Sequence, residues 1–174
     1  LRYTQLYGLR TSEMIMLFEL LLVQKIMPKI KINPALKEYP ELMQLVDIMA
    51  AEEIDHLEQF ELLNRESRPD LYDTDKYEYI FFLPSIEAHI MTSIMSWCSR
   101  WMAFPIWLLF FSEESTLTLA RDMRAMKTDS ELGSIEDNWL TVYTEHSRDE
   151  NRHAIIDKLL FDVHNELILG ILML

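Results

Sequence analysis

The sequence has few residues that break helices. Three glycines and six prolines in 174 residues leave too few tight-turn positions for a β-sandwich or barrel, and eleven methionines with abundant leucine favour long helices. It also lacks basic charge: 16 Lys and Arg stand against 29 Asp and Glu, a formal net charge of −13. Nucleic acids and anionic membrane surfaces both recruit basic patches, so neither is expected as a partner. The single cysteine, Cys98, has no partner for an internal disulfide, and a reducing cytoplasm is the expected compartment. No signal-peptide pattern and no charge-free run of transmembrane length is present. The most apolar stretch, Met14 to Val23, is interrupted by Glu19.

What is present is hydrophobic content of 49%, ample for one core, so residues 1–174 read as a single all-α domain. The chain opens at Leu1 without a methionine and already close to a helical pattern, as expected of part of a longer protein. A first helix is expected from about Tyr3 to Ile26, ending before Pro28 and Pro34. Its centre is apolar all round, which marks a buried helix. Glu19 within it must be protonated, paired or bound to a cation, because an isolated buried charge costs several kcal/mol.

A second helix should start at Pro40, a good first-turn residue, and run to about Asn64. Leu42, Leu45 or Val46, Met49, Glu53, His56 and Phe60 follow the 3-4 spacing of one inward face, whereas Glu52, Glu58 and Glu61 fall elsewhere. Ser67 to Asp75 reads as a loop. A long apolar helical segment follows from about Pro84 to Met126, kinked or divided at Pro105. There Glu113 shares a stripe with Leu117 and Ala120 and is favoured as the inward acid, with Glu114 as the alternative. Lys127 to Ser134 reads as a turn. Ser134-Ile135-Glu136-Asp137 resembles a capping box, opening a last helix that ends near Leu169 with Gly170 as its cap.

The last helix carries His146, Glu150 and His153, spaced H-x-x-x-E-x-x-H. Positions i, i+4 and i+7 share a helix face, so two imidazoles and a carboxylate project together. Glu53-Ile54-Asp55-His56 repeats the shorter half, E-x-x-H, upstream. One such pair is usually a solvated surface contact. Two copies on apolar stripes of separate helices, each with a further acid on another helix, form the donor set of a dinuclear carboxylate site in a four-helix bundle. The candidate ligands are Glu19, Glu53, His56, Glu113 (or Glu114), His146, Glu150 and His153. Four carboxylates neutralise two divalent ions, and imidazole with carboxylate suits iron, with manganese as the alternative. Asp55, Asp149 and Asp157 lie in helical register to orient the imidazoles. No catalytic side chain beyond the ligands is expected. Trp107, Phe110, Phe111, Trp139 and Tyr143 are candidates to line a substrate pocket.

This pattern resembles the ferritin-like di-iron carboxylate proteins. The H-x-x-D-E-x-R-H form of residues 146–153 is similar to the p-aminobenzoate N-oxygenase (AurF-like) family, in which an extra histidine precedes the last E-x-x-H by one turn. The resemblance implies a ferritin-like bundle with two iron ions in its core, and it carries His146 over as the additional ligand. It also implies an enzyme that uses O2 and an external electron donor to oxidise a small molecule, an arylamine in that family. A homodimer is the expected assembly. The same donors suit a hydroxylase, desaturase or halogenase acting on an acyl or peptidyl substrate. A ferroxidase or other metal-handling protein on the same bundle, and a metal-free interaction bundle, are the competing classes.

Overall fold

Four long helices carry the seven candidate ligands, and each helix passes through the same three layers. The computed structural model describes residues 2–33, 36–81, 93–94, 97, 103–126 and 135–172, with no strand among them. In chain order the elements are α1 (Arg2–Leu21), a π-helical turn (Leu22–Ile26), α2 (Met27–Lys31), a 3₁₀ turn (Leu36–Glu38), α3 (Pro40–Ser67), α4 (Pro69–Tyr72), α5 (Ala103–Met126) and α6 (Asp137–Leu172). Helix α1 packs on α3, α3 on α6, and α5 on α6, giving a helical bundle. No helix among the described residues is long and apolar enough to cross a membrane.

The layers follow from the sequence register. One apolar cluster takes Leu22 and Ile26 after α1, Val46 and Met49 from α3, Ile106 and Leu109 from α5, and Ile156 and Leu160 from α6. The other takes Leu9, Ile15 and Met16 from α1, Phe60 and Leu63 from α3, Tyr72, and Trp139 and Tyr143 from α6. On α1, α3 and α6 the candidate ligands fall between the two. Each fully buried large apolar side chain contributes about 1.5–3 kcal/mol. These two layers stabilise the bundle, and the polar layer between them is buried.

Several boundaries differ from the sequence expectation. Pro28 does not end the first helical segment. The preceding turn widens into a π-helix, with the Met27 N–H bonded to the Leu22 carbonyl, and Pro28 then falls in the first turn of α2, where its missing donor is not needed. Gly170 does not cap α6, which runs on to Leu172; one helical glycine costs only about 1 kcal/mol relative to alanine. The stretch expected as a loop after Ser67 contains the short helix α4, started by Pro69. Helix α3 begins at Pro40 as its first-turn chemistry requires. The expected start at Pro84, the turn from Lys127 and the Ser134 cap lie outside the described residues.

Candidate metal centre

The donors converge because each helix turns a ligand inward at the same level. Glu19 comes from α1, Glu53 and His56 from α3, Glu113 from α5, and His146, Glu150 and His153 from α6. None is more than 4% exposed. They form two groups that can each hold a metal ion: Glu19, His56, His146 and Glu150; and Glu53, Glu113, Glu150 and His153. Within each group the donor atoms lie within 4.8 Å of one another, and Glu150 belongs to both. The imidazole rings of His56 and His146 are 4.4 Å apart between centroids. Glu114, the alternative on α5, is exposed, so Glu113 is the acid that reaches the cluster.

Hydrogen bonding assigns the free nitrogens. His56 Nε2 lies 3.1 Å from Asp149 Oδ2, and His153 Nε2 lies 2.9 Å from Glu52 Oε2. An ionised carboxylate only accepts, so each Nε2 carries the hydrogen and each Nδ1 is the bare nitrogen. Both Nδ1 atoms are buried with no hydrogen-bond partner, as are Glu19 Oε2, Glu53 Oε1, Glu113 Oε2 and Glu150 Oε1. His146 presents Nε2 to Glu19 Oε1 at 2.8 Å and to Glu150 Oε1 at 2.9 Å. Buried polar atoms are ordinarily satisfied. Unsatisfied donor atoms gathered in two buried groups could hold a metal ion, and the residue types fit one.

The electrostatics agree. With protein groups alone, burial and the charges of Glu53 and Glu150 push the Glu19 carboxyl well above its ordinary range. Burial, with Glu53, Asp157 and Glu52, pushes Glu150 up to about 10. Burial also raises Glu53, but with no cation in the site a proton on the facing Nδ1 of His153 or His56 outweighs it and holds this carboxyl low, at about 2. Burial and the neighbouring His56 hold the His146 imidazole neutral down to about 3. The carboxylates cannot all ionise in this space without positive charge among them.

The outer acids only partly match the sequence expectation. Asp149 binds His56 from the facing helix. Asp55 is exposed and does not orient an imidazole, because it lies on the outer side of α3. Asp157 is fully buried with no partner at either oxygen, so it does not orient one either; burial and Glu53 push it up to about 8. The acid on His153 is Glu52, which helical phasing placed off the inward stripe. The signal was present: an acid precedes each E-x-x-H, Glu52 before Glu53 and Asp149 before Glu150.

The five aromatic candidates divide. Trp107, Phe110 and Phe111 are 53%, 40% and 56% exposed, with Trp107 stacked on Phe111 at 5.6 Å. They face outward on α5 and do not line the buried centre. Trp139 and Tyr143 are buried and stacked at 5.9 Å. Tyr143 meets Phe60 edge-on at 5.2 Å, and Phe60 meets the His146 ring at 5.0 Å. Phe60 is therefore an aromatic side chain in contact with the cluster. Glu13 is a further buried acid that sequence reasoning missed. It accepts hydrogen bonds from the Tyr72 hydroxyl at 2.8 Å and from the Ile80 and Phe81 N–H groups at 2.8 and 2.7 Å, tying the segment after α4 onto α1. Comparison with models of protein families, with curated proteins and with solved structures found no match to this chain.

Proposed function

We propose that this chain is a non-haem di-iron oxygenase on a ferritin-like four-helix bundle, using O2 to oxidise a small organic substrate. N-oxygenation of an arylamine is the specific reaction to test first. The observation that carries the reading is the third imidazole: His146 Nε2 faces Glu19 and Glu150 at 2.8 and 2.9 Å, beside the inward Nδ1 atoms of His56 and His153. A transit site for iron needs no such nitrogen-rich shell, whereas a resident redox metal is held and tuned by one. Bound in the two groups, iron would supply one-electron redox chemistry and open positions for O2, with electrons drawn from an external donor.

The chain's own residues have definite tasks. Glu150 would be shared between the two positions, since it belongs to both groups. Glu19, Glu53 and Glu113 supply the remaining negative charge, so that four carboxylates balance two divalent ions. Asp149 and Glu52 fix the tautomers of His56 and His153 and raise the basicity of the ligating nitrogens. The apolar layers on both sides exclude water, which strengthens every charge interaction inside. Phe60 forms the wall against His146, with Tyr143 and Trp139 behind it.

Metal loading tests the reading. Anaerobic ferrous titration gives about two irons per chain, and oxygen then produces a transient visible absorption band. Arylamines added before oxygen are converted to N-oxygenated products in step with decay of that band. Uptake of one ion or none overturns the dinuclear reading. Two ions with rapid ferric core growth in a closed multi-subunit shell would assign the chain to iron storage instead.

A further inference from the structure

Outside the ligand cluster, one surface arginine touches both acids that hold the histidines. Arg152 Nη2 lies 2.6 Å from Glu52 Oε1 and 2.6 Å from Asp149 Oδ1. The other oxygen of each acid is engaged with a histidine: Glu52 Oε2 with His153 Nε2 at 2.9 Å, Asp149 Oδ2 with His56 Nε2 at 3.1 Å. The arrangement is crossed. The acid on α3 serves the histidine on α6, and the acid on α6 serves the histidine on α3. Those two histidines belong to different groups of donors, His56 to the one with Glu19 and His153 to the one with Glu113. The continuous path His56–Asp149–Arg152–Glu52–His153 therefore joins the two groups on the outside, as Glu150 joins them on the inside.

We propose that Arg152 is a positioning residue that couples the two metal positions, because one guanidinium nitrogen is shared by the acids that orient their two histidines. The inference rests on the metal-binding part of the proposed function and not on its oxygen chemistry.

An exposed ion pair alone would contribute little, typically up to about 1 kcal/mol, and Arg152 is half exposed. The geometry here differs from that case. Glu52 and Asp149 are only 25% and 27% exposed, and the two oxygens that share Nη2 are at most twice its bond length apart. Like charges so placed repel unless a cation stands between them. Nη2 has one N–H for each acid, so a change in one of the two bonds alters the polarisation of the nitrogen that the other acid meets. A cation held at His56 Nδ1 would make its Nε2–H more acidic and draw Asp149 toward it. Asp149 then needs Arg152 less as a partner for that oxygen, and the change is passed to Glu52 and to His153. Hydrogen-bonded groups of this kind polarise one another, and orienting groups behind ligating histidines change metal affinity by ~10–100-fold.

The test is a double-mutant cycle read as cobalt(II) affinity of the metal-free protein, by competition with a chelator. The substitutions are Glu52→Gln and Asp149→Asn, singly and together, made with Arg152 present and in an Arg152→Gln background. With Arg152 present, each single change disturbs both histidines, so the double variant loses about fivefold less affinity than the product of the singles. In Arg152→Gln the two losses multiply. Arg152→Lys restores the non-additivity, since a lysine nitrogen also offers donors to two acceptors. A second readout is the exchangeable imidazole N–H resonances of the cobalt-loaded protein: Glu52→Gln shifts that of His56 as well as that of His153. Losses that multiply with Arg152 present, together with an effect of Glu52→Gln confined to His153, overturn the coupling while leaving the metal centre intact. Failure of the unaltered chain to take up cobalt overturns the metal centre and the coupling with it.

Discussion

Glu19 on α1 and His146 on α6 are separated by 127 positions and meet at 2.8 Å, Oε1 to Nε2. This contact closes the donor group that also contains His56 and Glu150. It brings the first long helix and the last to one point in the buried polar layer of the bundle. Replacing His146 by alanine removes a nitrogen donor and leaves a space beside Phe60. Metal titration of His146→Ala is expected to retain one tight site, with loading at the other weakened ~100-fold. Unchanged affinity for both ions would show that His146 does not ligate, and the oxygenase reading would lose its support.

The neighbouring acids on α5 give a clean contrast. Glu113 is 1% exposed and sits in the second group, whereas Glu114 is exposed. Glu113→Gln should lower affinity at the group holding His153 by roughly 10-fold or more, since a neutral amide replaces a ligating carboxylate. Glu114→Gln should leave metal binding within error and stability within about 0.5 kcal/mol. Equal effects of the two substitutions would contradict the placement.

Stability of the metal-free chain should depend on pH in an unusual sense. Glu19, Glu150 and Asp157 are raised above their ordinary range by burial, the latter two to about 10 and about 8. His153 is also raised: burial opposes its charge, but Glu53 and Glu52 favour it. Each of these groups binds more protons folded than unfolded, so each loses stabilising effect as pH rises. His146, held neutral down to about 3, works in the opposite sense until its unfolded counterpart has lost its proton, about a unit above the ordinary value of 6.5. Between pH 6.5 and about 8 the four raised groups lower stability as pH increases, and the opposing contribution of His146 fades within that window. Denaturant titrations of the metal-free protein should show a falling midpoint across that window. Divalent metal should reverse the trend, because ligand deprotonation then favours binding. A midpoint that rises with pH without metal would count against the buried cluster.

Glu13 should prove structural. Its carboxylate accepts from the Tyr72 hydroxyl and from two backbone N–H groups. Glu13→Ala would leave one buried and two partly buried donors without it, at a cost of about 3 kcal/mol. For a chain of this size that lowers the melting temperature by roughly 10 °C. Glu13→Gln keeps one acceptor oxygen and should be milder. Metal stoichiometry should remain that of the unaltered chain in both.

Much of the candidate metal cluster was already written along the chain, because helical periodicity is local. The spacing of His146, Glu150 and His153 puts them on one face of any α-helix, and the same holds for Glu53 and His56. The apolar run around Glu19 requires a buried acid whatever it packs against. The all-helical class follows from the scarcity of glycine and proline and from the apolar stripes. Contacts between helices do not follow a local period. Glu52 lies off the stripe of α3 and reaches His153 only because α6 crosses there. Asp157 lies in register with the ligands of α6 yet binds no imidazole, and Trp107, Phe110 and Phe111 face outward although their composition suggests a pocket. Pro28 is carried through by a π-helical turn that no propensity announces. Local spacing alone specified which residues could bind a metal and the helices that bear them. Only the packing of α1, α3, α5 and α6 decided which acid serves which histidine and that Glu150 stands in both groups. Those relations depend on the distance between side chains remote in sequence, and that distance is set by how whole helices fit together.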